Sequence, residues 1–204
     1  MRERFVFFDL GNVLVHFDHQ IAVSQLARLS GQPEAPVRSA LFDSGLQDRY
    51  EHGAISSCQF AEEINAMLQT QLPVQQILDA ISAIFQPNLA ILPMLELLKR
   101  HKIDMAVLSN TCEAHWQWIA ARQWPVMDGW FVGQILSFEV QSMKPEDGIY
   151  HAAEAMADCS GPRVFFTDDR PENVEAASRR GWSTHLFTSV TQFEPALRSW
   201  LKAS

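Results

Sequence analysis

The chain has 204 residues, enough for one domain with a sizeable core, or for a core plus a small inserted domain. A formal net charge of −8 argues against general affinity for nucleic acid or an anionic membrane, while leaving room for a local positive site that takes a small phosphorylated molecule. Cys58, Cys112 and Cys159 stand far apart with no CxxC or zinc spacing, so a reducing cytoplasm fits and a disulfide framework does not.

The charged start, Met1 to Arg4, is followed by an apolar run that Asp9 breaks, too short for a signal peptide, and no stretch approaches membrane-spanning length. That run, Phe5-Val6-Phe7-Phe8, is aromatic and β-branched and reads as a strand buried on both faces. It ends on Asp9, then Leu10-Gly11-Asn12, a turn in which Gly11 is expected to supply a positive φ. In an open α/β sheet, chemistry sits beyond the carboxyl ends of the strands, the address Asp9 occupies.

Val15 to His19 reads as a linker, and from Gln20 to Phe85 only helical periodicity is present. Gly31 closes a first helix, Pro36 suits a helical first turn, and Gly45 and Gly53 bracket a short element. Ser56 with Gln59 forms a capping box for the helix carrying Phe60, Ile64 and Leu68. Pro73 starts another helix, whose apolar stripe extends to Ile84 and Phe85 and which Pro87 stops.

Beyond it, strands and helices alternate. Ala90–Lys99 is helical; Asp104–Leu108 is a strand ending on Ser109-Asn110-Thr111; a helix carries Trp116 and Ile119. Phe131–Leu136 is a strand interrupted by Gly133, Ser142–Pro145 a loop, and Glu146–Met156 a helix. Val164-Phe165-Phe166 is a second fully buried strand, ending on Thr167-Asp168-Asp169. Pro171 and Gly181 bracket a helix, Thr184–Phe187 is a short strand, and Phe193 to Leu201 marks a last helix. This order predicts an α/β fold with a doubly wound parallel sheet and an inserted all-α module.

Asp9, Ser109 and the Asp168-Asp169 pair each follow a strand, and Lys144 sits in a loop after another, so all converge on one crevice. Taken singly, Ser109 reads as a helix cap, Lys144 as a solvated lysine and the acidic pair as a helix N-terminal feature. Two adjacent carboxylates also call for a neutralising cation.

As an ordered set they resemble the haloacid dehalogenase (HAD) superfamily of hydrolases. Asp9-Leu10-Gly11-Asn12-Val13 resembles the family's nucleophile motif, Leu108-Ser109-Asn110 its second motif, Lys144-Pro145 its third, and Thr167-Asp168-Asp169 with Asn173 its fourth. Asp-Leu-Gly-Asn-Val together with Glu51-His52-Gly53-Ala54-Ile55-Ser56 resembles the branch of sugar-phosphate phosphatases typified by α-D-glucose-1-phosphate phosphatase. The resemblance implies a Rossmann-like catalytic core over residues 1–15 and 87–204 and an α-helical cap over 16–86. It implies that Asp9 attacks phosphorus, that Mg²⁺ is held by Asp9, Gly11, Asp169 and Asp168, and that Leu10, Gly11, Ser109, Asn110 and Lys144 hold the phosphate. The partner is then a small phosphorylated substrate, with no nucleic acid and no membrane, and a monomer is favoured.

Gly11 stands where many family phosphatases carry a second Asp that serves as general acid and base, and Asn173 stands where an acid orienting the lysine is common. Two alternatives accompany the phosphatase expectation: a metal-independent 2-haloacid dehalogenase, and a non-catalytic phosphosugar-binding protein of the same fold. His16, Asp18, His19, Tyr50, Glu51 and His52 are the candidates to reach the crevice from the cap.

Overall fold

The computed structural model describes residues 3–203; Met1, Arg2 and Ser204, which fall within the expected core, lie outside the described residues. At its centre is a five-stranded sheet of β1 (Phe5–Phe8), β4 (Asp104–Ser109), β5 (Gly133–Leu136), β6 (Val164–Asp168) and β7 (Ser183–Leu186), ordered β5-β4-β1-β6-β7. Every pairing in it is parallel, and β1 lies between β4 and β6, with Phe8 opposite Val107 on one side and Thr167 on the other.

The apolar run of β1 lacks alternation because both faces are covered. Val6 and Phe8 face a core built with helices α6 (Leu92–Arg100), α7 (Glu113–Ala120) and α11 (Val190–Lys202). Phe5 and Phe7 face the opposite core, built with α9 (Asp147–Ala157) and α10 (Pro171–Arg179), where Phe7 stacks on Trp182 at 5.7 Å. Each of these buried phenylalanines contributes roughly 1.5–3 kcal/mol over an exposed one.

Between β1 and β4 the chain builds a helical module with its own core: α1 (His19–Ser30), α2 (Glu34–Arg38), a π-helical turn at Ser39–Asp43, α3 (Leu46–Glu51), α4 (Ser57–Leu68) and α5 (Val74–Ser82). Ser56 caps α4 as its sequence predicts: its hydroxyl accepts from Gln59 N while the Gln59 side chain accepts from Ser56 N. Ala114 and Cys112, at the start of α7, pack into this core and seat the module on the sheet domain.

Three local expectations are corrected. Val15–His19 is not a linker: Val15–Phe17 forms β2, antiparallel to β3 (Phe85–Pro87), and this ribbon is the stem of the helical module. Accordingly α5 ends at Ser82, and Phe85 and Pro87 belong to β3 rather than to a helix. A three-residue pairing leaves no readable periodicity, and proline is tolerated in so short a ribbon. Gly133 opens β5 rather than interrupting it, and a short α8 (Ser137–Val140) follows. Among the described residues no helix is long and apolar enough to cross a membrane.

Candidate active site

The register of the sheet decides what stands beside Asp9. With Phe8 paired to Val107 and Thr167, the next residues along are Leu108 on one side and Asp168 on the other, and Asp9 N donates to Thr167 O at 3.0 Å. The chain then turns sharply, with Leu10 O accepting from Leu14 N and Val15 N at 3.0 and 2.9 Å. The left-handed residue in this turn is Asn12, at φ 54°, not Gly11. Gly11 is needed for room: a Cβ there would lie 2.9 Å from Phe17 Cε1. The expected positive φ at Gly11 is thus replaced by a close approach of the β2 aromatic ring.

Lys144 is brought in by a reciprocal amide lock. Its backbone N donates to Asn110 Oδ1 at 2.7 Å, and Asn110 Nδ2 donates back to Lys144 O at 2.8 Å. The ammonium then spends its three protons on Asp9 Oδ1 (2.7 Å), Asp168 Oδ2 (2.6 Å) and Leu108 O (2.8 Å). Asp168 is committed on both oxygens, since Oδ1 also accepts from Arg170 N and from Asn173 Nδ2 at 2.8 and 3.0 Å. Asn173 therefore does not touch the lysine; it orients Asp168, which orients the lysine. Asp169 is less enclosed, with Oδ2 accepting from Asn12 Nδ2 at 2.8 Å.

Burial is the largest influence on Asp9 and pushes its carboxyl up to about 7; Lys144 opposes the rise, and Asp168 and Asp169 add to it. Burial also pulls on the Lys144 ammonium, but the attraction of Asp168 and Asp9 outweighs it and holds that pKa above the ordinary range. Asp9, Asp168 and Asp169 each offer an oxygen within 4.8 Å of the others. Three carboxylates against one ammonium leave a net charge of −2 when all are ionised. Beside them, Asn173 Oδ1 is a buried acceptor that meets no donor. A hard divalent cation with bound waters fits this donor set, since carboxylate oxygens would ligate it and a bound water would satisfy Asn173.

A cavity of about 170 Å³ opens over this cluster. Asp9, Gly11, Ser109 and Lys144 form its floor, and Phe17, His19, Glu51 and Phe85 close it from the helical side.

No family model matches the chain. Solved structures do. An HAD family enzyme from Bacteroides thetaiotaomicron, in its magnesium complex, superposes on 96% of this chain and 98% of its own with a TM-score of 0.82 and 26% identity. A predicted HAD-like family hydrolase from Porphyromonas gingivalis matches over 98% of both chains at a TM-score of 0.82 and 24% identity. The fold is that of the HAD family enzymes. L-2-haloacid dehalogenase from Xanthobacter autotrophicus shares it more distantly, at a TM-score of 0.64 and 18% identity over 97% of this chain and 83% of that one. These likenesses support a hydrolase.

On this HAD fold the strand-end groups predicted from sequence, Asp9, Leu10, Ser109, Asn110, Lys144 and Asp169, all line the cavity, with Asp168 buried directly behind them. The helical-module candidates divide. His19 and Glu51 reach the cavity. His16 is exposed and Asp18 caps α1, accepting from Gln20 N at 2.8 Å. Tyr50 points the other way, into the module's core, where its hydroxyl meets Ser57 Oγ at 2.7 Å and accepts from Ala114 N at 3.1 Å. His52 pairs with Glu146 at 3.0 Å. Sequence reasoning missed Phe17, Phe85 and His115. The two phenylalanines arrive on the unrecognised β2–β3 ribbon, and His115 lies on α7 among residues that read as ordinary helix.

Proposed function

We propose that the protein is a Mg²⁺-dependent phosphatase that hydrolyses a small phosphorylated metabolite of the sugar-phosphate class through an aspartyl-phosphate on Asp9. The observation that carries this reading is the buried cluster of Asp9, Asp168 and Asp169 around the single ammonium of Lys144. A dehalogenase that works without metal has no use for the surplus negative charge, which would repel a haloacid carboxylate. A phosphatase needs that charge to hold the cation. The Bacteroides thetaiotaomicron HAD family enzyme, 24% identical to this chain at a TM-score of 0.81, forms a complex with magnesium and inorganic phosphate.

In this mechanism residues 1–15 and 87–204 form the catalytic core and 16–86 the cap. Asp9, Asp169 and the Gly11 carbonyl would hold Mg²⁺, with Asp168 behind them. Bound there, the cation would supply positive charge to the transferring phosphoryl oxygens. Asp9 attacks phosphorus in line with the leaving oxygen. Ser109 and the backbone N–H groups of Leu10 and Asn110 orient the phosphoryl oxygens, and Lys144 neutralises nucleophile and phosphate together. Water then attacks phosphorus and frees Asp9.

Gly11 offers no proton to the leaving oxygen. Within the class, the likeness of Asp9–Val13 and Glu51–Ser56 to the α-D-glucose-1-phosphate phosphatase branch favours an ester such as a sugar 1-phosphate.

The test is phosphate release across a panel of phosphorylated sugars with Mg²⁺ or with EDTA, for wild type and Asp9→Asn. Turnover that needs Mg²⁺ and is abolished by Asp9→Asn is expected. Activity untouched by EDTA, or chloride released from 2-chloropropionate without metal, would sink the proposal.

A further inference from the structure

The cap segment Glu51–Gly53 is fastened to the core at three consecutive residues. Ser137 Oγ, which accepts from Thr111 N at 2.9 Å, donates to Glu51 O at 2.6 Å. His52 pairs with Glu146 across the boundary at 3.0 Å. Gly53 lies so close to α8 that a Cβ on it would sit 2.2 Å from Phe138 O. Fixed in this way, Glu51 is held at the wall of the cavity that contains Asp9. Its Oε1 accepts from Gln47 Nε2 at 2.5 Å, within its own helix, so the head group is oriented.

We infer that Glu51 is the general acid of this enzyme, donating its proton to the leaving oxygen in place of the side chain that residue 11 lacks. The inference rests on the phosphatase reading given above. Position 11, two residues after the nucleophile, carries no acid, and a Cβ there would lie 2.9 Å from Phe17 Cε1, so the ring would have to shift to admit one. The other groups around the cavity are poor donors. His115 Nε2 lies 3.2 Å from Ile81 O, and burial pushes its pKa down to about 4, so its ring is neutral. The His19 ring packs edge-on between Phe17 and Phe42 at 4.9 and 4.8 Å, and partial burial lowers its pKa. Arg170 is paired with Glu172, and the three protons of Lys144 are committed.

Burial raises the Glu51 carboxyl, with Asp48 adding to the rise and Gln47, Arg170 and His52 opposing it. The group is thereby kept protonated further toward neutrality than an exposed glutamate. In the forward step the Asp9–phosphorus bond forms as the phosphorus–oxygen ester bond breaks, and the Glu51 proton passes to that oxygen to give the free alcohol. Glu51, now a carboxylate, takes a proton from the water that attacks the aspartyl-phosphate, which restores both carboxyl groups and releases inorganic phosphate.

General acid help is worth about 10²–10⁴-fold for a poor leaving group and little for a good one. The experiment compares p-nitrophenyl phosphate, whose leaving group departs as a stable anion, with an alkyl sugar phosphate such as glucose 6-phosphate, both with Mg²⁺. Glu51→Gln keeps the shape, the Gln47 bond and the backbone clamp. It is expected to lower kcat/KM, which reports the step in which the leaving group departs, by at least about 10²-fold on the alkyl ester while holding kcat/KM on the aryl ester within about threefold. Equal losses on both esters, or no loss on either, overturn the inference. Should Glu51→Gln fail to fold, Glu51→Ala must show the same split, and a uniform effect there overturns it too. Wild-type hydrolysis of the aryl ester keeps the two readings apart. Without it the phosphatase reading fails and the role of Glu51 with it; with it, and with no split in the variants, only the role of Glu51 fails.

Discussion

Asp9→Asn, the variant that removes the nucleophile, should make the metal-free protein more stable. Burial holds the Asp9 carboxyl at about 7 against an ordinary 3.8. The folded state therefore keeps a proton that the unfolded chain has released over that interval. Stability falls as pH rises from about 4 to about 7 and is constant above it, the reverse of a salt-bridged carboxylate whose pKa is depressed. Three units at about 1.4 kcal/mol each give a penalty on the order of 4 kcal/mol at pH 8.

Asparagine removes the charge while its Oδ1 still accepts from Lys144, so the penalty is lifted without leaving the ammonium unpaired. For a chain of this size about 1 kcal/mol moves Tm by roughly 2–4 °C, so recovering even half of the penalty raises Tm by about 4–8 °C. Thermal melts in EDTA from pH 4 to pH 9 read this directly. The two proteins should melt together near pH 4 and diverge up to pH 7. A variant that melts at or below wild type at pH 8, or a gap that does not change with pH, refutes the reasoning.

Two further variants test the same geometry from other sides. Lys144→Met removes the one ammonium among three carboxylates and should cost about 3–5 kcal/mol, as breaking buried pairs does; lower Tm in EDTA together with loss of turnover is expected, and an unchanged Tm would place the lysine outside the cluster's energetics. Gly11→Ala drives a methyl into the Phe17 ring and should cost about 1–3 kcal/mol, most of it recovered in the double variant with Phe17→Leu, read by chemical denaturation; a single variant as stable as wild type would mean that the ring gives way freely.

What the sequence revealed depended on range. β1 was legible because burial on both faces leaves a run of apolar side chains without alternation, and the Ser56–Gln59 box because both partners lie within one turn. The strand-end groups converge because a parallel sheet forces its carboxyl ends together, whatever the loops do. The β2–β3 ribbon was illegible: its partners lie some seventy residues apart in the chain and pair over three residues, too few to set a period. Phe17 therefore read as linker, and the reason for Gly11 was misassigned to backbone conformation. Tyr50 and Glu51 show the limit most sharply. They are neighbours at the end of α3, yet one enters the module's core and the other the cavity. That division is set by where α3 lies against α8 and the start of α7, and no local pattern encodes it.

The surplus charge also dictates the order in which ligands arrive. A phosphate dianion entering the metal-free cavity meets a cluster of net charge −2. At an effective dielectric of about 20 and a separation of about 4 Å, each like unit pair opposes entry by about 4 kcal/mol. Protonation of Asp9 or retreat of the phosphate softens this but does not reverse its sign. A divalent cation neutralises the cluster and presents ligand positions for phosphate oxygens, so metal and phosphate are coupled, and the coupling must be the same whichever binds first. Calorimetric titration of inorganic phosphate should give no measurable binding in EDTA and clear binding in excess Mg²⁺, with Mg²⁺ affinity rising by the same factor when phosphate is present. In Asp9→Asn the cluster's net charge is −1, so phosphate entry is opposed less but still opposed, and Mg²⁺ should still be needed for measurable binding. Equal phosphate affinity with and without Mg²⁺ in the wild type would mean that Lys144 and Arg170, the cations lining the cavity, govern anion binding and that the acidic pair has another purpose.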